Sequence, residues 1–294
     1  MNENLLDLSG KIDVFIVGLL ETIAAVAEPL NIPFFVVGAL ARDIILTSCY
    51  GIETGRATQD IDFGVQVLNW DGYEHLIEAL IGTGKFSRDK KQVQRLIYKE
   101  TLPTDIIPFG AIAKPDDRLS CPPEHDTTMS TLGFGTAYQT SIFVRIRSKP
   151  ALDIKFVSLP GLALLKIISW KDNLVRRGRD AHDLLLLMQK YLDAGNQERL
   201  FNEETDLVGE DFDYVRAGAR LLGRDIAVIL NTDLIETLVK ILDKETGNQN
   251  HYRLVENMLD RGSESSDFED ALQLLEDLKA GVLEKLQHTT TSVF

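Results

Sequence analysis

Cysteine is nearly absent from this chain: Cys49 and Cys121 are the only two in 294 residues. Their spacing suits neither a disulfide framework nor a thiolate metal site, which excludes a small stapled scaffold and a zinc ribbon. Long apolar runs are missing too. The longest, such as Val14 to Leu20, meet charges within a few residues and fall short of the roughly 20 needed to cross a bilayer. Met1-Asn2-Glu3-Asn4 lacks the basic start of a secretory signal, so a cytoplasmic protein with no membrane association is expected. Basic excess is also lacking, because the net charge is -14. That balance argues against a broad nucleic-acid surface and against anionic lipid. What remains is 44% hydrophobic and 26% charged, enough to bury a substantial core in two domains.

The chemistry is concentrated in three short segments. Phe34 to Val37 reads as a strand running into a turn at Gly38-Ala39, and after a loop from Cys49 to Thr58 the stretch Asp60 to Val67, which opens Asp60-Ile61-Asp62-Phe63, follows as a second strand. Asp60 and Asp62 are two residues apart, so on an extended segment their side chains share a face, with roots roughly 6.5 Å apart. Ile61 and Phe63 face the other way, into an apolar layer. Asp105 lies in a third strand-like stretch, Thr104 to Phe109. Carboxylates so placed suit Mg²⁺, which takes a few carboxylates and completes its shell with phosphate oxygens and water. Three acids can hold two ions about 4 Å apart, the arrangement used in phosphoryl and nucleotidyl transfer. Asp105 could serve there as ligand, as base, or as both.

The order Gly38-Ala39, Asp60-x-Asp62, Asp105 resembles the nucleotidyltransferase superfamily typified by DNA polymerase beta. In that superfamily the turn binds nucleotide phosphates, the first two acids hold metal, and the third assists the acceptor hydroxyl. Ala39 departs from the usual Gly or Ser, but Gly38 keeps the backbone freedom the turn needs. Within the superfamily the chain is similar to the AbiEii/AbiGii toxin family over roughly residues 30 to 190. Thr58 stands two residues before the first metal acid as in that family. Leu162-Ala163-Leu164-Leu165-Lys166 followed by Arg179-Asp180 and Asp183 resembles its later helix pair. Gly38-x-x-x-Arg42-Asp43 also resembles the tRNA CCA-adding enzymes, whose base-placing Arg-Arg-Asp-Phe segment has no counterpart here.

The resemblance implies an α/β (α+β) fold: a nucleotidyltransferase-type mixed sheet flanked by helices in residues 1-158, then a helical domain in 159-294. It implies transfer of a nucleoside monophosphate from an NTP, with Mg²⁺ as cofactor. Asp60, Asp62 and Asp105 are the expected metal ligands. Gly38, Ala39 and Thr58 are expected at the phosphates, with Lys166 on the triphosphate and Asp183 beside the nucleotide, orienting either Lys166 or a base. A tRNA or other RNA acceptor and a cognate antitoxin protein are the implied partners. A small-molecule nucleotidyltransferase and a catalytically retired nucleotide sensor are the alternatives, and the sensor is disfavoured because all three acids are present. Arg176, Arg177 and Arg179 have no assigned role, and Arg42 with Asp43 is expected to form a structural pair.

Periodicity supplies the rest. Leu5 to Ala27 reads as one amphipathic helix, Trp70 to Ile81 as another, and Ser87 to Pro108 as two strands with a turn near Thr101. Residues 110 to 140 read as a long irregular flap. From Leu159-Pro160-Gly161 onward the pattern is helical. Two basic groups, Lys85 to Lys99 and Arg145-Arg147-Lys149, are either solvated faces or tracks for an RNA backbone.

Overall fold

The structure is a computed structural model that describes residues 5–55, 58–121, 127–172, 177–247, 252–259 and 263–291. By internal contacts the chain divides into two compact units, Met1–Ser158 and Leu159–Phe294.

The first unit is a mixed sheet covered by helices. Its elements run β1 (Leu5–Asp7), α1 (Val14–Ala27), β2 (Phe34–Val37), α2 (Gly38–Asp43), β3 (Ile61–Gln66), α3 (Trp70–Gly82), β4 (Phe86–Arg88), β5 (Arg95–Tyr98) and β6 (Leu102–Phe109), followed by β7 (Arg118–Cys121), β8 (Thr127–Ser130), α4 (Phe134–Gln139), β9 (Ile142–Ser148) and β10 (Ala151–Phe156). Among the described residues, eight strands form one sheet in the order β1-β9-β10-β2-β3-β6-β5-β4. β2 and β3 are antiparallel, whereas β3 and β6 are parallel. The inner strands β2, β3 and β6 bury Phe35, Phe63 and Phe109 almost completely. Phe35 and Phe109 meet Phe134 and Tyr138 edge-on or tilted, so α4 seals one side of the sheet.

The helix expected from Leu5 is a short strand followed by a helix. Leu5–Asp7 pairs in parallel with β9, the chain turns through Gly10, and Asp13 caps α1 by accepting from the Phe15 backbone N–H at 2.8 Å. The apolar spacing of Leu5 and Leu6 fits either period over so short a run. Sheet pairing settles it. α3 starts where the pattern places it, because the Asn69 side chain accepts from the Gly72 N–H at 2.9 Å. The stretch expected to be an irregular flap carries the β7–β8 ribbon and α4.

Among its described residues the second unit is built of helices: α5 (Leu159–Asp172), α6 (Arg177–Lys190), α7 (Gln197–Asn202), α8 (Tyr214–Ile229), α9 (Thr232–Thr246), α10 (Arg253–Met258) and α11 (Ser265–Thr291). Asp213 and Asn231 cap α8 and α9 by accepting from Arg216 N–H at 2.9 Å and Leu234 N–H at 3.0 Å. Trp170 on α5 donates to Asn257 on α10 at 3.0 Å, and Arg216 on α8 pairs with Asp277 on α11 at 2.7 Å.

Candidate active site

Strand register assembles the site. Val37 lies opposite Asp62, and Asp62 lies beside Asp105 on the parallel neighbour β6. Residues at one register position of adjacent strands project to the same face, and neighbouring strands run about 4.8 Å apart. The two acids therefore stand side by side. Both are buried, Asp105 at 2% exposure and Asp62 at 9%.

The bend after β2 fits this pair closely. Gly38 has φ +70°, and a Cβ there would fall 2.1 Å from Asp62 Oδ2 and 2.9 Å from Asp62 Cγ. The position therefore demands glycine for its conformation and again for its clearance. Ala39 follows it in the first turn of α2. Asp60 sits just ahead of β3 and is partly exposed.

Between Asp60 and Asp105 lies a residue that the sequence pattern did not single out. Arg95, on β5 directly opposite Asp105, donates from Nε to Asp105 Oδ1 at 2.6 Å and from Nη2 to Asp105 Oδ2 at 2.8 Å. Its Nη2 also reaches Asp60 Oδ2 at 3.0 Å. The hydrogen bonds it donates to Asp105 raise the Arg95 pKa above its ordinary value against the opposing effect of burial, and the charges of Asp105 and Asp60 add to the rise. The signal was present in the sequence: a hairpin folded at Lys99-Glu100 puts positions 95 and 105 opposite one another. Both turn residues have positive φ.

Thr58 donates its hydroxyl to Asp43, which in turn takes two bonds from Arg42, at 2.8 Å from Nε and 2.6 Å from Nη2. Arg42 is 1% exposed, so the expected Arg42–Asp43 pair is a buried brace at the end of α2. Among the described residues, no group of three or more His, Cys, Asp or Glu side chains is arranged to hold a metal ion. The donors themselves fit a hard divalent cation, since Asp60, Asp62 and Asp105 offer only oxygens. A positive group already rests on two of them.

Lys166 belongs to the second unit. Its Nζ lies 2.8 Å from Asp180 Oδ1 and 2.6 Å from Asp183 Oδ2, and Ser169 donates to Asp180 Oδ2 at 2.8 Å. Burial would push the Lys166 ammonium down, but the charges of Asp180 and Asp183 outweigh it and its pKa is raised. Asp183 thus contacts Lys166 as the resemblance implies, and Asp180 is a second partner that was not anticipated. Arg176 lies outside the described residues, as does the Arg177 side chain.

The arginines of the two basic groups are paired with acids. Arg88 meets Glu74 at 2.6 Å, Arg145 meets Asp153 at 2.8 Å, and Arg147 meets Glu21 at 2.9 Å. Among the described residues no helix is long and apolar enough to cross a membrane.

Comparison with known proteins follows the same line. The family model described as "Nucleotidyl transferase AbiEii toxin, Type IV TA system" matches residues 19–274. No curated relative matches the chain. Among solved structures, JHP933 from Helicobacter pylori is similar at 14% identity and TM-score 0.34, covering 94% of this chain and 95% of its own. A CCA-adding enzyme in complex with ATP is similar at 17% identity and TM-score 0.32, covering 96% of this chain and 71% of its own. The antibiotic-resistance factor ANT(2'')-Ia is similar at 16% identity and TM-score 0.32, covering 66% of this chain and 98% of its own. All three likenesses are remote.

Proposed function

The chain belongs to the AbiEii nucleotidyltransferase toxin family, and from that premise we propose that it moves a nucleoside monophosphate from an NTP to an RNA hydroxyl, with Mg²⁺ as the metal. The observation that carries the reading is the pairing of Asp62 with Asp105 at one register position beside the Gly38 bend. Asp60 and Asp62 supply carboxylate oxygens to the metal, and Asp105 completes the acidic set. When bound, Mg²⁺ would offset triphosphate charge and lower the pKa of the acceptor hydroxyl. Gly38, Ala39 and Thr58 border the nucleotide phosphates.

In the transfer itself the acceptor oxygen bonds to the α-phosphorus, the α–β anhydride bond breaks, and pyrophosphate leaves. The hydroxyl proton passes to the Asp105 carboxylate. Lys166 is assigned to the triphosphate by family resemblance. Its present partners give it a further duty, because a lysine held between Asp180 and Asp183 fixes α5 against α6. A tRNA acceptor, growth arrest as the outcome, a cytoplasmic setting and an antitoxin that relieves the arrest complete the reading. The antitoxin rests on the family description, the tRNA acceptor, growth arrest and setting on the family resemblance, and all are analogy rather than chemistry.

The test is incubation of the purified protein with the four labelled NTPs, Mg²⁺ and total RNA. Label appearing in the tRNA fraction supports the reading. Label found instead on an added aminoglycoside or sugar would replace the RNA acceptor with a small molecule, and NTP binding without transfer to anything would point to a sensor.

A further inference from the structure

Arg95 poses a problem for the reaction just described. A carboxylate whose two oxygens both accept from one guanidinium keeps only its remaining lone pairs and is held in its charged form, so it is a poorer base and a poorer cation ligand in that arrangement. Asp60 is engaged by the same group. Release from Arg95 would make Asp105 a stronger base and a better ligand.

The position of Arg95 favours release. It stands on β5, one strand in from the end of the sheet at β4, and its side chain is 16% exposed at the solvent margin of the site. Its long stem can swing without moving β6, where Asp105 is fixed by the β3 pairing. A bidentate fork also suits a stand-in for a divalent ion, because it satisfies two carboxylates from one side.

We propose that Arg95 is the internal counterion of the acidic site: it holds Asp60 and Asp105 in place when no divalent cation is bound and yields to the cation on loading. The inference rests on the reading of these acids as metal ligands. Its consequence is that cation affinity is set by competition with the protein's own guanidinium. Loading then frees Asp105 and leaves a mobile positive group beside the incoming nucleotide.

The test uses the full chain as wild type, Arg95→Met, Arg95→Lys and Asp62→Asn. Mn²⁺ binding is read by electron paramagnetic resonance without nucleotide, and the melting temperature is followed as Mg²⁺ is added. Arg95→Met should bind Mn²⁺ about tenfold more tightly than wild type. Without divalent ion it should melt below wild type, because two neighbouring acids have lost their shared cation, and Mg²⁺ should restore most of the loss. Arg95→Lys should fall between the two in both readouts and carries the comparison if Arg95→Met does not fold. Unchanged or weaker Mn²⁺ binding by the Arg95 variants, with binding lost in Asp62→Asn, would overturn the counterion role while leaving the acids as metal ligands. No Mn²⁺ binding by any variant, with or without NTP, would sink that underlying reading and the inference with it.

Discussion

Each unit of the chain holds one cation between two aspartates, and the two arrangements differ in what surrounds them. Lys166 is buried on α5, with Asp180 and Asp183 one helical turn apart on α6. Arg95 sits on a strand near one end of the sheet, with Asp60 and Asp105 arriving from two separate strand segments. A buried triad costs more to break than to keep, since removal of one member strands the others in low dielectric. Arg95 is itself 16% exposed against 11% for Lys166, but its partner Asp60 is 23% exposed, so that end of the contact is open to exchange. The same charge pattern therefore makes a clamp in the helical unit and a replaceable counterion in the sheet unit.

The largest effect expected is on chemistry. Asp62→Asn should lower nucleotide transfer by roughly four orders of magnitude, the scale seen when one member of a catalytic unit is lost. Its melting temperature should stay near that of wild type, and single-turnover assays beside thermal melts check both. Next in size is the clamp. Lys166→Ala should destabilise the fold by about 3–5 kcal/mol in urea titration, because two buried carboxylates lose their cation. If the loss is below about 1 kcal/mol, the clamp and the counterion are not different in kind.

The clamp also has a pH signature. Lys166 has a folded pKa raised above its unfolded value of 10.5, so its contribution is fully present below that pH and fades as pH climbs through the raised value. Urea titrations across alkaline pH should show wild type losing stability faster than Lys166→Met. Parallel curves would remove Lys166 from the account of alkaline unfolding.

Gly38→Ala should act on both levels at once. The positive φ alone costs about 1–2 kcal/mol, and a new methyl 2.1 Å from Asp62 Oδ2 must push that carboxylate aside. Transfer should therefore fall further than stability explains, which activity assayed well below the melting temperature would reveal. The smallest effect belongs to the Arg88–Glu74 pair, both partners well exposed, where Arg88→Ala should cost at most about 1 kcal/mol and leave transfer unchanged.

Most of the site could be read from local pattern because Asp62 and Asp105 lie on strands with alternating apolar partners and Asp60 lies just ahead of one. Asp60-Ile61-Asp62-Phe63 and Thr104-Asp105-Ile106 each state which side is core, and Gly38 marks the bend. Arg95 was lost in a run of basic residues that reads as a solvated face or an RNA-backbone track, because its partner is set by hairpin register rather than by neighbours in sequence. Asp180 was hidden for a related reason: helix-to-helix pairing leaves no periodic signal of which acid faces Lys166. The opening helix was overextended because Leu5 and Leu6 satisfy a helical and a strand pattern alike, and pairing with β9 chose between them. Short elements such as β7, β8 and α7 lie below the length at which periodicity distinguishes helix from strand.

Under the proposed function the acids of β3 and β6 serve nucleotidyl rather than phosphoryl transfer. Parallel reactions with NTP labelled at the α- or the γ-phosphate, with wild type and Asp62→Asn, test this most directly. The α-label should enter the RNA, the γ-label should leave as pyrophosphate, and Asp62→Asn should transfer neither. RNA that gains the γ-label, or an Asp62→Asn protein that still transfers the α-label at the wild-type rate, would contradict it.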